Sequence, residues 1–150
     1  MRYPGIISYL GEPGGGTTDY AVEIYYEALK HGKYTCFLES SARLPMMYMP
    51  DCLEGTIQLL EAPKASLKST VYNLTSFSFT PAEQAASIRK FLPGFSIDYK
   101  PDFRQKIAET WPRSLDDTEA QNDWGWKPRF TLDKMTEDML KNIRIKLGLK

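Results

Sequence analysis

The stretch from residue 14 to residue 19 reads GGGTTD and combines three glycines with three side chains that could do chemistry. A Walker loop requires a Lys after its glycines, and a dinucleotide fingerprint requires spaced glycines directly after a buried strand. Neither pattern is present. The oxygens of Thr17, Thr18 and Asp19 could instead cap a helix or hold a polar ligand, and both alternatives stay open.

A second candidate is the pair Tyr26 and Lys30, which matches the letters Tyr-x-x-x-Lys. In such a pair the cation lowers the pKa of the phenol, so that the tyrosine can act as a base. Here no glycine-rich fingerprint precedes the pair, and among nine tyrosines a chance match is expected. We interpret it as a solvated helix face, give His31 no catalytic role, and predict no catalytic residue in this chain.

Composition excludes several classes of partner. The 19 basic and 19 acidic residues cancel, which argues against nucleic acid, because phosphate binding needs an excess of Lys and Arg. No apolar run approaches the roughly 20 residues of a membrane span, so no membrane partner is expected. Cys36 and Cys52 lack metal-ligand spacing and a single His accompanies them, so we predict no metal site.

Short apolar runs, one of them alternating at 34–38, predict the strands. They are expected within residues 2–8, 34–38, 44–51, 70–76 and 95–101. Pro4 must end or bulge the first of them, because proline cannot donate within a central strand.

Helical spacing and capping residues predict the helices between these strands. One runs from the threonines to Gly32, and a second is capped by Asp51 with apolar residues at 53, 57 and 60. A third has Thr80 as its cap with a capping box at Glu83. The last two are expected at 103–109 and after Thr131. The alternation indicates the α/β class, and residues 1–150 read as one incomplete domain that starts in the middle of a fold.

Six ordered segments carry a resemblance to a known family. They are RYPGIIS, PGGGTTDYAVEIYYEAL, RLPMMYMPDCLEGTIQLLEAP, YNLTSFSFTPAE, YKPDFRQKIAETWPRSLDD and DWGWKP. Together they resemble the C-terminal half of the L-threonine 3-dehydrogenases of the extended short-chain dehydrogenase (NAD-dependent epimerase/dehydratase) family. The resemblance implies the last strand or strands of an NAD(P)-binding Rossmann-like fold, plus the small substrate-binding lobe.

The family activity implied is the oxidation of L-threonine by NAD to L-2-amino-3-oxobutanoate, a step of threonine catabolism. In the family the Tyr-x-x-x-Lys pair and the glycine-rich fingerprint precede RYPGIIS, and neither is present here. We therefore expect this chain to carry the substrate side and to be inactive alone. Two alternatives remain: a non-catalytic truncated lobe, or half of another NAD-dependent sugar epimerase or dehydratase.

The resemblance also implies roles for individual residues. Pro4 and Ile6 correspond to cofactor contacts, while Thr17, Thr18, Asp19 and Trp111 correspond to substrate-side groups. Core packing is the alternative for Pro4, Ile6 and Trp111. An ion pair or a surface role is expected for Arg43, and structural packing for Trp124 and Trp126.

Quaternary structure and location are also implied only by the resemblance. Full-length members are expected to be homodimers, mitochondrial in animals and cytoplasmic in bacteria. Within this chain, the first strand is expected to lack its parallel neighbours, which would leave an apolar edge and poor solubility.

Overall fold

A computed structural model describes residues 1–149 as an α/β fold. Among these residues, no helix is long and apolar enough to cross a membrane. A short 3-10 turn lies at Lys64–Ser66. In chain order the other elements are β1 (Gly5–Ile7), α1 (Tyr20–His31), β2 (Lys33–Cys36), β3 (Leu44–Tyr48), α2 (Met49–Glu61), β4 (Phe77–Phe79), α3 (Pro81–Phe91), β5 (Ser96–Tyr99), α4 (Phe103–Ala108), α5 (Thr118–Trp124) and α6 (Leu132–Lys146).

The strands form two small sheets. The first has the order β1-β3-β4, with β1 parallel and β4 antiparallel to β3. The second pairs β2 with β5 in parallel. We expected the first strand to lack parallel neighbours. This is wrong for one of its two edges, where β1 pairs in parallel with β3 and Gly5 lies opposite Met46. Pro4 does interrupt the strand as predicted, because only an isolated bridge from Arg2 to Asn73 precedes it.

Helix α1 is confirmed together with its predicted glycine stop. Ala21, Ile24 and Tyr25 are buried and line one side of the helix. Gly32 adopts the left-handed conformation, with φ of 66°, and donates its N–H to the carbonyl of Ala28. This is the C-terminal cap for which glycine is favoured, since it has no Cβ to clash.

Helices α3 and α6 are confirmed with the caps that the sequence predicts. Thr80 accepts from the amide of Glu83, whose carboxylate accepts in return from the amide of Thr80. Thr131 accepts from the amide of Lys134 at 3.3 Å. Together with α1, both helices pack around the large apolar core. On α6 the buried positions are Met135, Thr136, Met139, Leu140 and Ile143.

The predicted cap of α2 is wrong. The helix begins at Met49, so Asp51 lies in its first turn rather than ahead of it. Its carboxylate is fully buried and accepts from the amides of Arg129 at 3.0 Å and Phe130 at 3.3 Å. Asp51 therefore ties α2 to a distant segment, and its negative charge also suits the positive end of the helix dipole.

The apolar residues whose spacing predicts α2 lie on the exposed side of the helix. Leu53, Ile57 and Leu60 are 57%, 51% and 80% exposed. The opposite side of the helix packs instead, through Cys52 and Gly55, on a small cluster that includes Leu74 and Trp126. The structural roles predicted for the two tryptophans are confirmed. Trp126 is fully buried and Trp124 packs edge-to-face on Tyr72, with 4.7 Å between ring centroids.

One predicted strand differs from the structure, and one helix of the structure has no prediction. Residues 70–76 form no strand beyond the bridge at Asn73, and the strand β4 begins at Phe77. Helix α5 carries no sequence signal strong enough to predict it, because it has only seven residues and buries only Ala120. Such a short helix depends on tertiary packing rather than on its own propensity.

Candidate functional site

The glycine loop, residues 14–16, is folded by a carboxylate. Oδ2 of Asp19 accepts from the amide of Gly14 at 2.7 Å and from that of Gly16 at 2.9 Å. Gly15 between them has φ of +90°, a conformation that favours glycine. Asp19 makes no side-chain bond to the first turn of α1, so the capping alternative is wrong for this residue. Its carboxylate organises the loop.

Thr18 lies against β1, where the cofactor-side residues are predicted. A Cβ placed on Gly5 would lie 3.0 Å from Cγ2 of Thr18 and 2.6 Å from Sδ of Met46. The structure therefore brings one predicted substrate-side residue into contact with the segment between Pro4 and Ile6. The close approach requires glycine at position 5, a role that the sequence signals only through the Pro-Gly interruption of the strand.

The two predicted cofactor residues themselves lie differently. Pro4 is half-buried, whereas Ile6 is 38% exposed. Successive side chains in a strand point to opposite faces, so Ile6 faces away from Thr18. Because β1 is the edge strand of its sheet, its outer backbone groups have no strand partner among residues 1–149. Such an edge can bond a planar amide.

Trp111 follows α4 and borders a cavity of about 180 Å³. Leu44, at the start of β3, lines the same cavity. Leu44 and Met46 are two residues apart on β3, so their side chains lie on one face at a separation of about 7 Å. The cavity and the contact between Gly5 and Thr18 thus involve neighbouring positions of the same strand, but neither Gly5 nor Thr18 lines the cavity. None of Thr17, Thr18 and Asp19 lines this cavity, and Trp111 itself packs partly buried against the main core.

Comparison with known proteins shows which family has this arrangement. L-threonine dehydrogenase from Phytophthora infestans is 63% identical and superimposes with a TM-score of 0.95, over 97% of this chain and 47% of that one. A monomeric L-threonine 3-dehydrogenase from a metagenome is 49% identical, with a TM-score of 0.88, and matches over 97% of this chain and 47% of its own. The mitochondrial L-threonine 3-dehydrogenase of Bos taurus is 49% identical over 93% of this chain and 38% of its own length.

The chain is homologous, at 45–63% identity, to the C-terminal half of L-threonine dehydrogenases and related epimerase/dehydratases. It corresponds to the C-terminal part of a Rossmann-like threonine dehydrogenase and spans about half the length of the relatives it matches, or less. No general family model matches the chain.

Arg104 is a residue that the sequence does not single out, although it joins two parts of the site. Its guanidinium bonds Asp102, with Nη2 2.6 Å from Oδ2, and lies 3.2 Å from the centroid of the Phe37 ring. Its Nη1 also donates to the carbonyl of Gly15 at 3.4 Å. The hydrogen bond from Arg104 lowers the pKa of the Asp102 carboxyl. Through Arg104, the glycine loop is connected to the helix that leads to Trp111.

The interpretation of Tyr26 as part of a solvated face is wrong, because its side chain is only 7% exposed. Its hydroxyl accepts from Nζ of Lys146 on α6 at 3.0 Å, and Lys146 also pairs with Glu12 at 3.4 Å. Lys30 lies over the tyrosine ring, with Nζ 5.6 Å from its centroid. Lys146 thus connects α6 to Tyr26 on α1 and to Glu12 at the entrance to the glycine loop.

Four other buried tyrosines are poor bases, because burial keeps them protonated. Burial raises the pKa of Tyr25 to about 12 and raises those of Tyr20, Tyr34 and Tyr48 further. A tyrosine that takes a proton near neutral pH needs a lowered pKa. Desolvation raises the pKa of Tyr72 and of Tyr99 as well. No group of three or more acidic, His or Cys side chains in that range is placed to hold a metal.

The ion pair expected for Arg43 is confirmed. It pairs with Glu83 and donates Nη1 to the carbonyl of Ser78 at 2.7 Å. It also lines the cavity beside Trp111, but its guanidinium is already engaged by these two groups.

Proposed function

We propose that this chain forms the substrate-binding side of an NAD-dependent L-threonine 3-dehydrogenase, which oxidises L-threonine to L-2-amino-3-oxobutanoate. The observation that carries the proposal is the contact between Thr18 and Gly5, within a fold that matches threonine dehydrogenases at 49% to 63% identity. This contact, made by the Cγ2 methyl of Thr18, puts the end of the substrate-side loop next to the strand proposed for the cofactor.

L-threonine is the proposed substrate of the assembled enzyme. We assign Thr17 and Thr18 to its carboxylate or hydroxyl, since hydroxyl groups both donate and accept. Trp111 supplies the apolar wall that a methyl group needs. Asp19 acts by shaping the loop, because its Oδ2 already accepts two backbone amides.

NAD is the proposed cofactor, and when bound it supplies the hydride acceptor. The free edge of β1 fits the carboxamide of its nicotinamide, since backbone N–H and C=O groups there are available to a planar amide. Pro4 and Ile6 flank this edge. In our proposal the catalytic base and the phosphate-binding glycines come from outside these 150 residues, so the chain alone has no activity.

Quaternary structure and location follow the relatives in this proposal. The assembled enzyme is proposed as a homodimer, although one relative is described as monomeric. The cattle and pig relatives are mitochondrial, and we assign the same compartment if the source is an animal, with the cytoplasm as the alternative.

The test is NADH formation from L-threonine by the chain alone and by the chain co-expressed with the half of the Phytophthora infestans enzyme that it does not cover. We expect turnover only from the pair. Thr18→Val should lower kcat/KM by about 10- to 100-fold, because the loss of one substrate hydrogen bond costs that much. Thr35→Val, at an exposed position on β2, is the matched control.

Three outcomes would contradict the proposal. Turnover by the purified chain alone, abolished by Tyr26→Phe, would place catalysis within these residues. A pair that acts on a nucleotide sugar and not on L-threonine would support the epimerase or dehydratase alternative. A pair that assembles without either activity would leave only the non-catalytic alternative.

A further inference from the structure

The guanidinium of Arg104, on α4, is held by two neighbours. Its Nε bonds both carboxylate oxygens of Asp102 at 3.1 Å, and its Nη2 bonds Oδ2 at 2.6 Å. Its central carbon lies 3.2 Å from the centroid of the Phe37 ring, which adds a cation–π contact. Because the guanidinium is a rigid fork and the side chain is only 19% exposed, these contacts also fix the direction of the third nitrogen, Nη1.

That nitrogen completes the set of polar contacts in the glycine loop. Asp19 accepts from the amides of Gly14 and Gly16, and Nη1 of Arg104 donates to the carbonyl of Gly15 between them. Each of the three consecutive glycines therefore gives one backbone group to a charged side chain. Asp19 folds the loop onto the start of α1, whereas Arg104, which is 89 residues away in sequence, ties the loop to α4.

Few other contacts hold this loop to the rest of the fold. Residues 14–16 are exposed and have no side chains to pack. Within residues 1–149, the only other distant polar contact of residues 9–16 is the ion pair of Glu12 with Lys146, in which the Glu12 side chain is 76% exposed. Exposed ion pairs contribute little, and a glycine backbone loses the most entropy when it is ordered. The bond from Arg104 is therefore the main distant restraint on the loop.

The loop leads directly into the proposed substrate residues. Thr17 and Thr18 follow Gly16, and Thr18 lies against Gly5 on β1. On their C-terminal side the threonines are fixed by α1, since the carbonyl of Thr18 accepts from the amide of Ala21 at 3.1 Å. On their N-terminal side only the loop fixes them. If the loop is not held, the apparent affinity for a ligand falls with the fraction of molecules in the binding conformation.

We propose that Arg104 is a positioning residue for the binding of L-threonine. Through the carbonyl of Gly15 it holds the glycine loop in the conformation that places Thr17 and Thr18 for the ligand. The inference rests on the proposed function for the identity of the ligand. It assigns to Arg104 a share of the substrate affinity and no part in the chemical step.

The first experiment measures hydrogen exchange by NMR on the full 150-residue chain. Arg104→Met removes the three nitrogens and keeps most of the apolar stem. The amides of Gly14 and Gly16 should then exchange about 3- to 10-fold faster, the range that follows from the loss of one hydrogen bond. Arg89→Met is the matched control, because Arg89 also donates to a backbone carbonyl, that of Phe95 at 3.0 Å, and it should leave these two amides unchanged.

Arg104→Lys separates the loop contact from the ion pair. A lysine ammonium can still pair with Asp102, but it lacks the fork that reaches Gly15 at the same time. We expect this variant to keep the wild-type Tm within a few degrees and to exchange at Gly14 and Gly16 as fast as Arg104→Met does. Wild-type exchange rates in either Arg104 variant would overturn the proposal.

The second experiment measures L-threonine oxidation by the chain co-expressed with the uncovered half of the Phytophthora infestans enzyme. Both Arg104 variants should raise KM for L-threonine about 3- to 10-fold and leave kcat within about twofold, since uniform binding is lost. KM for NAD should not change. Arg89→Met should keep both wild-type constants. A fall of kcat with an unchanged KM for L-threonine would overturn the positioning role.

The two experiments separate this inference from the proposed function. An active pair in which both Arg104 variants keep the wild-type KM would support the proposed function and contradict the positioning role. A pair that does not oxidise L-threonine would contradict the proposed function and the ligand named here. In that case the exchange rates of Gly14 and Gly16 alone decide whether Arg104 holds the loop.

Discussion

Helices α1 and α2 each carry apolar residues at helical spacing, but only α1 buries its stripe. Ile24 on α1 is fully buried, whereas Leu53 on α2 is 57% exposed. The difference comes from the neighbours: α1 packs on α3 and α6, while α2 packs through Gly55 and its other side. Periodicity predicts that a helix forms, and the available partners decide which of its sides is buried.

The largest expected effect is the difference in stability between substitutions in the apolar stripes of α1 and α2. Ile24→Ala should lower the free energy of unfolding by about 2–5 kcal/mol, since it leaves a cavity in the core. Leu53→Ala should change it by less than about 1 kcal/mol, because most of that side chain is already in water. Urea unfolding of the isolated chain measures both values, and similar losses would contradict the contrast.

Asp51 and Asp19, at the starts of α2 and α1, should also contribute unequally to the free energy of unfolding. Asp51→Ala should cost about 2–4 kcal/mol, because it empties a fully buried carboxylate site and leaves the amides of Arg129 and Phe130 without their acceptor. Asp19→Ala should cost about 1 kcal/mol or less, since the glycine loop is near water. In Asp19→Ala, the amides of Gly14 and Gly16 should exchange their hydrogens faster than in the wild type. Glu61→Ala, at an exposed position, is the control, and in it these amides should exchange as in the wild type.

The inner side of α2 can be tested at its glycine. Gly55→Ala places a methyl group against Leu74 and Trp126 and should lower stability by about 1–3 kcal/mol. Gly11→Ala is the control, because a Cβ there meets no atom within 4 Å. If Gly55→Ala stabilises the chain through its better helix propensity, the close packing of α2 on the small cluster is contradicted.

The smallest effect concerns the polar contact that holds α1 to α6. The bond to Tyr26 raises the pKa of Lys146 above its ordinary 10.5. Because the folded-state pKa is raised, its stabilising contribution is fully present below about pH 10 and is lost as pH rises through that pKa. The Tm difference between wild type and Lys146→Met should therefore shrink in alkali. Lys64→Met, next to the end of α2, should show no such trend.

The sequence predicts best the features that are local. The capping box of Thr80 and Glu83 and the left-handed stop at Gly32 depend on residues at most four apart, and both are confirmed. The α/β class and the family follow from longer patterns, and they are confirmed as well.

Distant contacts could not be predicted in this way. Asp51 bonds backbone groups 78 and 79 residues away, and Arg104 reaches Gly15 across 89 residues. Nothing in the local spacing distinguishes such carboxylates and guanidiniums from surface charges. The substrate and cofactor roles of Pro4, Ile6 and Trp111 stay predictions.

The buried carboxylate of Asp51 has a consequence for synthesis on the ribosome. Its acceptors are satisfied by amides of residues 129 and 130, which are made 78 and 79 residues later. At ribosomal rates this is a delay of roughly 4–16 s. For that interval the start of α2 lacks this anchor, and the apolar residues around it are open to aggregation.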